Sequence, residues 1–408
     1  MPRLPLKGIR VADFSQVFAG PAATLWMAAL GTDVIKIENP AHPDNVRRAS
    51  LGADRKYRYT EDPRISWFSP LNFGKKSCTL DLKTPEGQSR ARDIISVCDV
   101  VVENFATGVM ERFGLGYDQV RRVRPDVVML SVSGFGRTGP DRDFVAYATI
   151  ATAFGGLNGL TGYEGGEPKI IGGAWGDLLA AKTGALLTLA ALERRWRTGR
   201  GQHIDLSMSQ VMIGLAPEAV LDFTMNGRNR GPRGNRDDIM APHNAYPCKG
   251  DDAWAVVAVG NDREWAALCK AIGRPEMAKE PRFADQRQRW LRQAEIDPVV
   301  AAWTRERTSQ EVMDTLQKAG VPAARSSKLE EVATDPHLKA RGYFVELPDF
   351  RVGKVTALRL PGTTDANSVN GPAPNIGEHN GYVLEGVLGL TAADVEALKA
   401  KGVTASAV

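Results

Sequence analysis

Apolar and polar positions change period repeatedly along the first half of the chain. Residues 9–14 (IRVADF) form a short β-type run, and residues 20–30 (GPAATLWMAAL) follow with helical character. Pro21 suits the first turn of that helix, where its missing N–H would be unbonded anyway, and Gly31 supplies the stop. Residues 34–37 are a short apolar strand. Thr84-Pro85-Glu86 opens a helix running to about Cys98, and residues 99–103 (DVVVE) and 127–132 (VVMLSV) are again apolar runs of strand length. Strands alternating with helices predict βαβ units and a mostly parallel sheet covered on both faces. The expected class is α/β.

The pattern changes in the middle. Residues 178–192 (LLAAKTGALLTLAAL) are apolar around most of a helical circumference, which predicts a deeply buried helix. Arg194, Arg195 and Arg197 give it a cationic last turn, and Gly199 and Gly201 a stop. Residues 202–208 read as a strand. Residues 226–238 (NGRNRGPRGNRDD) carry four arginines among glycines and a proline and read as a loop. From about 244 to 321, one β segment (254–259) precedes several helices, a pattern for a small α+β domain. From about 328 onward come extended segments, a linker with Pro372 and Pro374, and a closing helix.

Composition narrows the function classes. With 52 Lys plus Arg against 48 Asp plus Glu, a net charge of +4 over 408 residues gives no general case for nucleic acid or a membrane surface. No apolar stretch reaches the length of a membrane span. The start, MPRLPLKGIRVADF, has no apolar signal core. Cys78, Cys98, Cys248 and Cys269 form no CxxC pair. The expectation is a cytoplasmic protein with reduced thiols.

Several motifs offer chemistry. Gly134-Phe135-Gly136-Arg137-Thr138-Gly139 matches GxGxxG after a predicted strand. A dinucleotide fingerprint needs a helix after its last glycine and an acidic residue about 20 positions on; here Pro140-Asp141-Arg142-Asp143 follows and position 154 is Phe. A glycine-rich turn fits better than a nicotinamide site. His42, His203, His243, His337 and His379 have no metal-ligand spacing, and no serine-hydrolase elbow or P-loop occurs, so no metal is expected. Asp177 follows Gly172-Gly173-Ala174-Trp175-Gly176 and immediately precedes the apolar helix. It reads as an N-cap, or as a carboxylate nucleophile that glycines leave open to a bulky acyl group and that the helix N-terminus keeps ionised. Lys75, Lys76, Lys83, Arg112 and the loop arginines each read as solvated surface charge. Together with Asn104 and Phe105 they suit a phosphate-bearing nucleotide.

Ordered segments carry a resemblance. PLKGIRVADFSQVFAGPAATLWMAALGTDVIKIENP, NFGKKSCTLDLKTPEG, DVVVENFATGVMERFGLGYD, SVSGFGRTGP, GGAWGDLLAAKTGALLTLAAL, RRWRTGRGQHIDLSM and IGEHN occur in the order found in the family III CoA-transferases, the group that includes formyl-CoA and carnitine CoA-transferases. The chain resembles that family over most of its length. The resemblance implies an interlocked dimer, each chain having a Rossmann-like large domain (residues 1–215 and 330–408) and a small domain (225–325). It implies an acyl-CoA and a free carboxylic acid as substrates, with succinyl-CoA a possible donor, and no cofactor beyond the CoA thioester. Asp177 matches the catalytic aspartate, which forms a mixed anhydride and then an aspartyl-CoA thioester. Phe18, Ala19, Leu80, Lys83, Asn104, Phe105, Val109, Arg112 and Phe113 match the CoA groove, and Tyr147 a tyrosine near the nucleophile.

Phe18 stands where formyl-CoA transferase has glutamine, Ala148 where it has glutamate, and the arginine loop where it has a glycine run. These departures point to an acceptor larger than oxalate, its carboxylate met by Arg228, Arg230 or Arg233. Segments LNFGKKS and SGFGRTGP also resemble benzylsuccinate CoA-transferase subunits, which pair two different chains, so the partner is an identical or a paralogous subunit. Two alternatives are an α-methylacyl-CoA racemase-type enzyme and a non-catalytic CoA-binding subunit. Residues 144–150 (FVAYATI) lack the histidine base racemisation needs, and a dead subunit would have no need of Asp177.

Overall fold

A computed structural model describes residues 4–47, 49–51, 57–59, 67–349, 353–362, 369 and 371–405. The chain divides into two compact units. The first holds Met1–Asn158, Ile170–Asn229 and Pro336–Val408; the second holds Gly159–Lys169 and Arg230–Asp335.

The first unit is built on six strands: β1 (Arg10–Asp13), β2 (Asp33–Glu38), β3 (Lys76–Thr79), β4 (Val100–Glu103), β5 (Val128–Ser133) and β6 (Gln202–Ser207). Their order is β3-β2-β1-β4-β5-β6, and every neighbouring pair is parallel. The register sets Val34, Val11, Val100 and Val128 side by side across four strands. Alternate residues leave on opposite faces. Val34, Val100 and Val102 join one buried cluster, while Ile35, Ile37 and Val101 join the other. Burial on both faces is why β4 and β5 read as apolar runs.

Helix α1 (Ala19–Ala29) follows β1, and α2 (Pro85–Ser96) is capped by Thr84, whose hydroxyl accepts from the Gly87 N–H at 3.0 Å. Next come the short α3 (Val109–Arg112), then α4 (Ala148–Phe154), α5 (Trp175–Thr198) and α6 (Pro217–Asn226). Helix α5 corrects the expectation of deep burial. Only one stripe is packed, made mostly of small residues: Ala180, Ala181, Gly184, Ala185, Thr188 and Ala191. The opposite side leaves Leu178, Leu186 and Trp196 exposed, Leu186 at 65%. Small residues let α5 lie close on the sheet. A Cβ on Gly184 would meet a Leu130 methyl at 3.0 Å.

The second unit has an antiparallel sheet of β7 (His243–Pro247), β8 (Trp254–Ala258) and β9 (Ala323–Arg325) in the order β9-β8-β7, with helices α7 (Asp262–Ala271), α8 (Gln293–Thr304) and α9 (Ser309–Lys318). Trp265, Phe283, Ile296, Val300, Val312 and Leu316 form its core. Residues 159–169, which the sequence reading leaves in the large domain, join this unit: the Gly162 carbonyl accepts from the Gly234 N–H at 3.0 Å.

Beyond residue 328 the chain is less extended than its pattern suggests. Short helices Leu329–Thr334 and Pro336–Ala340 precede the hairpin Phe344–Asp349/Gly353–Leu358. The IGEHN segment then clasps the sheet edge. The Asn380 carboxamide accepts from the Thr79 N–H at 2.8 Å and donates to the Ala405 carbonyl at 2.6 Å. No helix among the described residues is long and apolar enough to cross a membrane.

Candidate active site

Parallel strands all end on one side of a sheet, and the residues just past those ends are free to line a crevice there. Such a groove, of about 540 Å³, is lined by Phe14 beyond β1, Ile37 and Glu38 at the end of β2, Leu80 beyond β3 and Phe105 beyond β4. Lys83, Val109 and Phe113 complete the predicted residues found there. Leu80 is fully buried and forms floor. Lys83 is exposed, and its ammonium has no ion pair among the described residues. Arg112 closes α3 just outside this lining. Its guanidinium is exposed, without an ion pair among the described residues.

Three predicted contacts are placed differently. Ala19 is only 1% exposed, packed into the core at the start of α1, and its side chain is not offered to a ligand. Phe18 is half-buried, edge-on to Trp67 with ring centroids 5.0 Å apart. Asn104 spends its carboxamide on the chain itself: it donates to the Gln16 carbonyl and accepts from the Gln16 N–H, both at 2.8 Å. It pins the β1–α1 connection instead of reaching for phosphate.

Beneath that connection lies a cluster the sequence reading missed. Lys75 is not a solvated charge. It is buried, with Nζ 3.2 Å from Asp13 and donating to the Pro21 carbonyl and Asn72 Oδ1 at 2.8 Å each. Burial is the main force pushing its ammonium down to about 8, and the nearby Lys36 charge adds to it. Lys36, fully buried in β2, donates to the Ser15 carbonyl at 2.7 Å and pairs with Asp44 at 3.1 Å. Burial pushes Asp13 upward, but Lys75 and Lys36 outweigh it and leave the carboxyl below its usual range. The available signal was a charged residue inside a strand buried on both faces, as in VIKIE and RVADF.

The GxGxxG segment is a turn. Gly136 and Gly139 take φ of +86°, Arg137 donates its backbone N–H to Asp205 at 2.9 Å, and the next helix begins only at Ala148. No helix N-terminus is there to receive a pyrophosphate.

Asp177 sits in the first turn of α5, three residues past the cap position where the sequence reading put it. Ala174 occupies the N-cap and makes no capping hydrogen bond. The Asp177 side chain has no hydrogen bond or ion pair among the described residues and is half-buried. Burial pushes its carboxyl up to about 6. The helix N-terminus favours the anion, yet desolvation without a partner dominates. Glycines clear its surroundings. Gly173 takes φ of +93°, and nothing lies within 4 Å of where a Cβ on Gly172 would be. A Cβ on Gly176 would sit 2.8 Å from the Ala148 carbonyl oxygen, so Gly176 lets α4 dock against the residue preceding the carboxylate. Tyr147, exposed at the N-cap of α4, is thereby held one residue from that contact. A half-buried, unpartnered carboxylate still mostly ionised at neutral pH is suited to nucleophilic attack on an acyl group.

The loop arginines are already engaged. Arg228, in the first unit with Asp177, pairs with Asp222 at 2.6 Å. Arg230 and Arg233, in the second unit, both pair with Asp238, Arg230 at 2.7 Å. Arg236 pairs with Glu164 at 3.0 Å. Within the chain, Asp222, Asp238 and Glu164 balance the loop expected to meet a substrate carboxylate.

A family model described as CoA-transferase family III matches residues 6–380. The chain is 36% identical over 406 residues to a succinyl-CoA–D-citramalate CoA-transferase of Chloroflexus aurantiacus, covering 98% of both chains. It is 31% identical to a succinate–glutarate CoA-transferase of Agrobacterium fabrum, covering 93% of this chain and 95% of that one. The crystal structure of a CAIB/BAIF family protein from Brucella suis superposes with a TM-score of 0.82 at 29% identity, covering 95% of this chain and all of the other.

Proposed function

This chain belongs to CoA-transferase family III, and on that premise we propose that it moves CoA from succinyl-CoA to a short aliphatic dicarboxylic acid, with Asp177 as the group that carries the acyl bond. The observation behind this reading is the state of Asp177: unpartnered, half-buried and flanked by glycines at the start of a long helix. The acceptor class follows from the relatives, whose names specify citramalate and glutarate.

The steps balance without an outside reagent. An Asp177 carboxylate oxygen attacks the thioester carbonyl, the C–S bond breaks, and CoA leaves as the thiolate. The thiolate attacks the Asp177 carbonyl carbon of the anhydride. The C–O bond breaks, succinate departs, and an aspartyl-CoA thioester remains. The acceptor carboxylate attacks that carbon and regenerates the thiolate, which takes the new acyl group. No proton or electron is exchanged with the surroundings, so this route needs nothing beyond the CoA thioester. A carboxyl whose affinity for protons is raised is also the better nucleophile once ionised. The groove at the strand ends would hold CoA, with Lys83 and Arg112 as its phosphate contacts.

The exposed apolar side of α5 supports a second chain, identical or paralogous, as the active assembly. Leu186 on α5, Phe223 and Met225 on α6, and Phe154 on α4 are all more than half exposed.

Hydroxylamine trapping after incubation with succinyl-CoA is the direct test. The wild type is expected to give a hydroxamate at Asp177 by mass spectrometry, and Asp177→Asn to give none, with transfer lowered at least about a thousandfold. Turnover should favour glutarate and citramalate over oxalate and benzylsuccinate. Comparable turnover of oxalate would overturn the acceptor class.

A further inference from the structure

The connection between β1 and α1 is held by side chains from β1, β2 and the segments that follow β2 and β4. The Ser15 N–H donates to Asp13 at 3.0 Å, and the Ser15 carbonyl accepts from Lys36 at 2.7 Å. Gln16 is tied at both its N–H and its carbonyl to Asn104. The Val17 N–H donates to both carboxylate oxygens of Asp44, at 3.0 and 3.1 Å. Val17 itself has φ of +66°. A β-branched side chain rarely adopts that left-handed conformation, because its Cβ substituents crowd the backbone, and such outliers persist only where surroundings hold them. The surroundings here are an ion pair between Lys36 and Asp44 in which both side chains are fully buried.

This arrangement faces the groove. Phe14, Gln16 and Asp44 are among its lining residues, and Phe18 at the start of α1 follows directly. We propose that Asp44, paired with Lys36, is a positioning residue that keeps Val17 left-handed and so fixes residues 15–17 in the shape that receives acyl-CoA. The carboxylate of Asp44 is consumed by Val17 and Lys36, so it acts through the backbone of the loop and not on the reacting atoms. The inference rests on the acyl-CoA reading of the groove.

Its test compares Asp44→Ala, Asp44→Asn and the double variant Asp44→Ala/Val17→Gly with the wild type. Binding of free CoA is measured by calorimetry and CoA transfer from succinyl-CoA by kcat and KM, at a temperature well below each variant's unfolding midpoint. Loss of the acceptor frees the Val17 N–H and leaves the Lys36 ammonium buried without its partner. The expected result for Asp44→Ala is a rise in CoA Kd and in KM of about tenfold or more, with kcat at saturation changed by less than about threefold. Glycine adopts the left-handed conformation without crowding. The double variant should therefore recover at least about threefold of the lost affinity.

A merely structural role would lower the unfolding midpoint and leave CoA affinity of the folded protein alone. Asp44→Ala binding CoA within about twofold of wild type would overturn the proposal, as would a double variant with no recovery. Should Asp44→Ala not fold, Asp44→Asn decides. It keeps an acceptor but drops the charge, and a Kd within about twofold of wild type would count against the ion pair. A wild type that binds CoA but transfers none from succinyl-CoA would sink the transferase reading alone. One that binds no CoA would sink both.

Discussion

On the mechanism proposed above, the protonation of Asp177 bears on both chemistry and stability, in opposite senses. Its carboxyl is pushed up to about 6 in the folded chain from an ordinary 3.8, because burial disfavours the charge. Transfer through Asp177, as proposed, needs the anion. The acid limb of kcat/KM should fall near pH 6, about tenfold per pH unit below it, and a pH–rate profile reads this directly. A limb near pH 4 would mean that the carboxylate is not desolvated. Folding prefers the neutral acid. Since the folded pKa lies above the unfolded one, the penalty is absent below about pH 4, grows as pH rises to about 6, and is constant beyond. Asp177→Asn removes that penalty. It should stabilise the fold by on the order of 1–3 kcal/mol at pH 8 and by nearly nothing near pH 4, checked by thermal unfolding at both pH values. Arg112→Ala belongs at this scale too. Its exposed guanidinium should lose mainly uniform binding, raising KM for acyl-CoA about three- to tenfold with kcat kept.

Contact between α4 and α5 depends on one missing methyl group. Gly176→Ala would place a carbon 2.8 Å from the Ala148 carbonyl oxygen and 3.0 Å from its Cα, so backbone must move. Alanine is worth about 1 kcal/mol in helix propensity, but the clash should outweigh it by about 1–2 kcal/mol. The expected outcome is a lower unfolding midpoint together with a reduced kcat, as the start of α4 shifts away from Asp177. Elements like these were legible to different degrees. Five of the six strands of the first sheet were readable, the central ones because burial on both faces turns them into apolar runs, as residues 99–103 show; β3 (KSCT) was missed because it carries no apolar run. Thr84 as a cap was readable from residue type and position. The burial of Lys36 had a signal in its strand position, but neither it nor Lys75 showed its partner, because a lysine in a sequence gives no sign of which carboxylate the fold brings to it. The start of α5 was displaced because its first turn, Trp175-Gly176-Asp177, uses no side-chain cap to announce it.

At the scale of the whole molecule, hydrophobic patterning fails to distinguish burial within a chain from burial between chains. The leucines of α5 predicted a core helix, and half of them face out. If a second chain covers them, Leu186→Glu should convert the assembly to monomers by analytical ultracentrifugation and abolish most transfer, while leaving far-UV circular dichroism intact. Unchanged sedimentation would mean that this face is not the interface. The arginine loop carries a related lesson. Its charge was legible, and so was Asp238 at its end, but two of the acids that neutralise it, Asp222 and Glu164, lie outside it. The clasp on β3 has a temporal consequence. Thr79 is bonded to Ala405 at 2.9 Å, across 326 positions of sequence. A ribosome must therefore have released every residue through Ala405 before that border of the sheet can be sealed. A chain cut shortly before Asn380 would leave β3 an open template for strand addition, and such products should aggregate during synthesis.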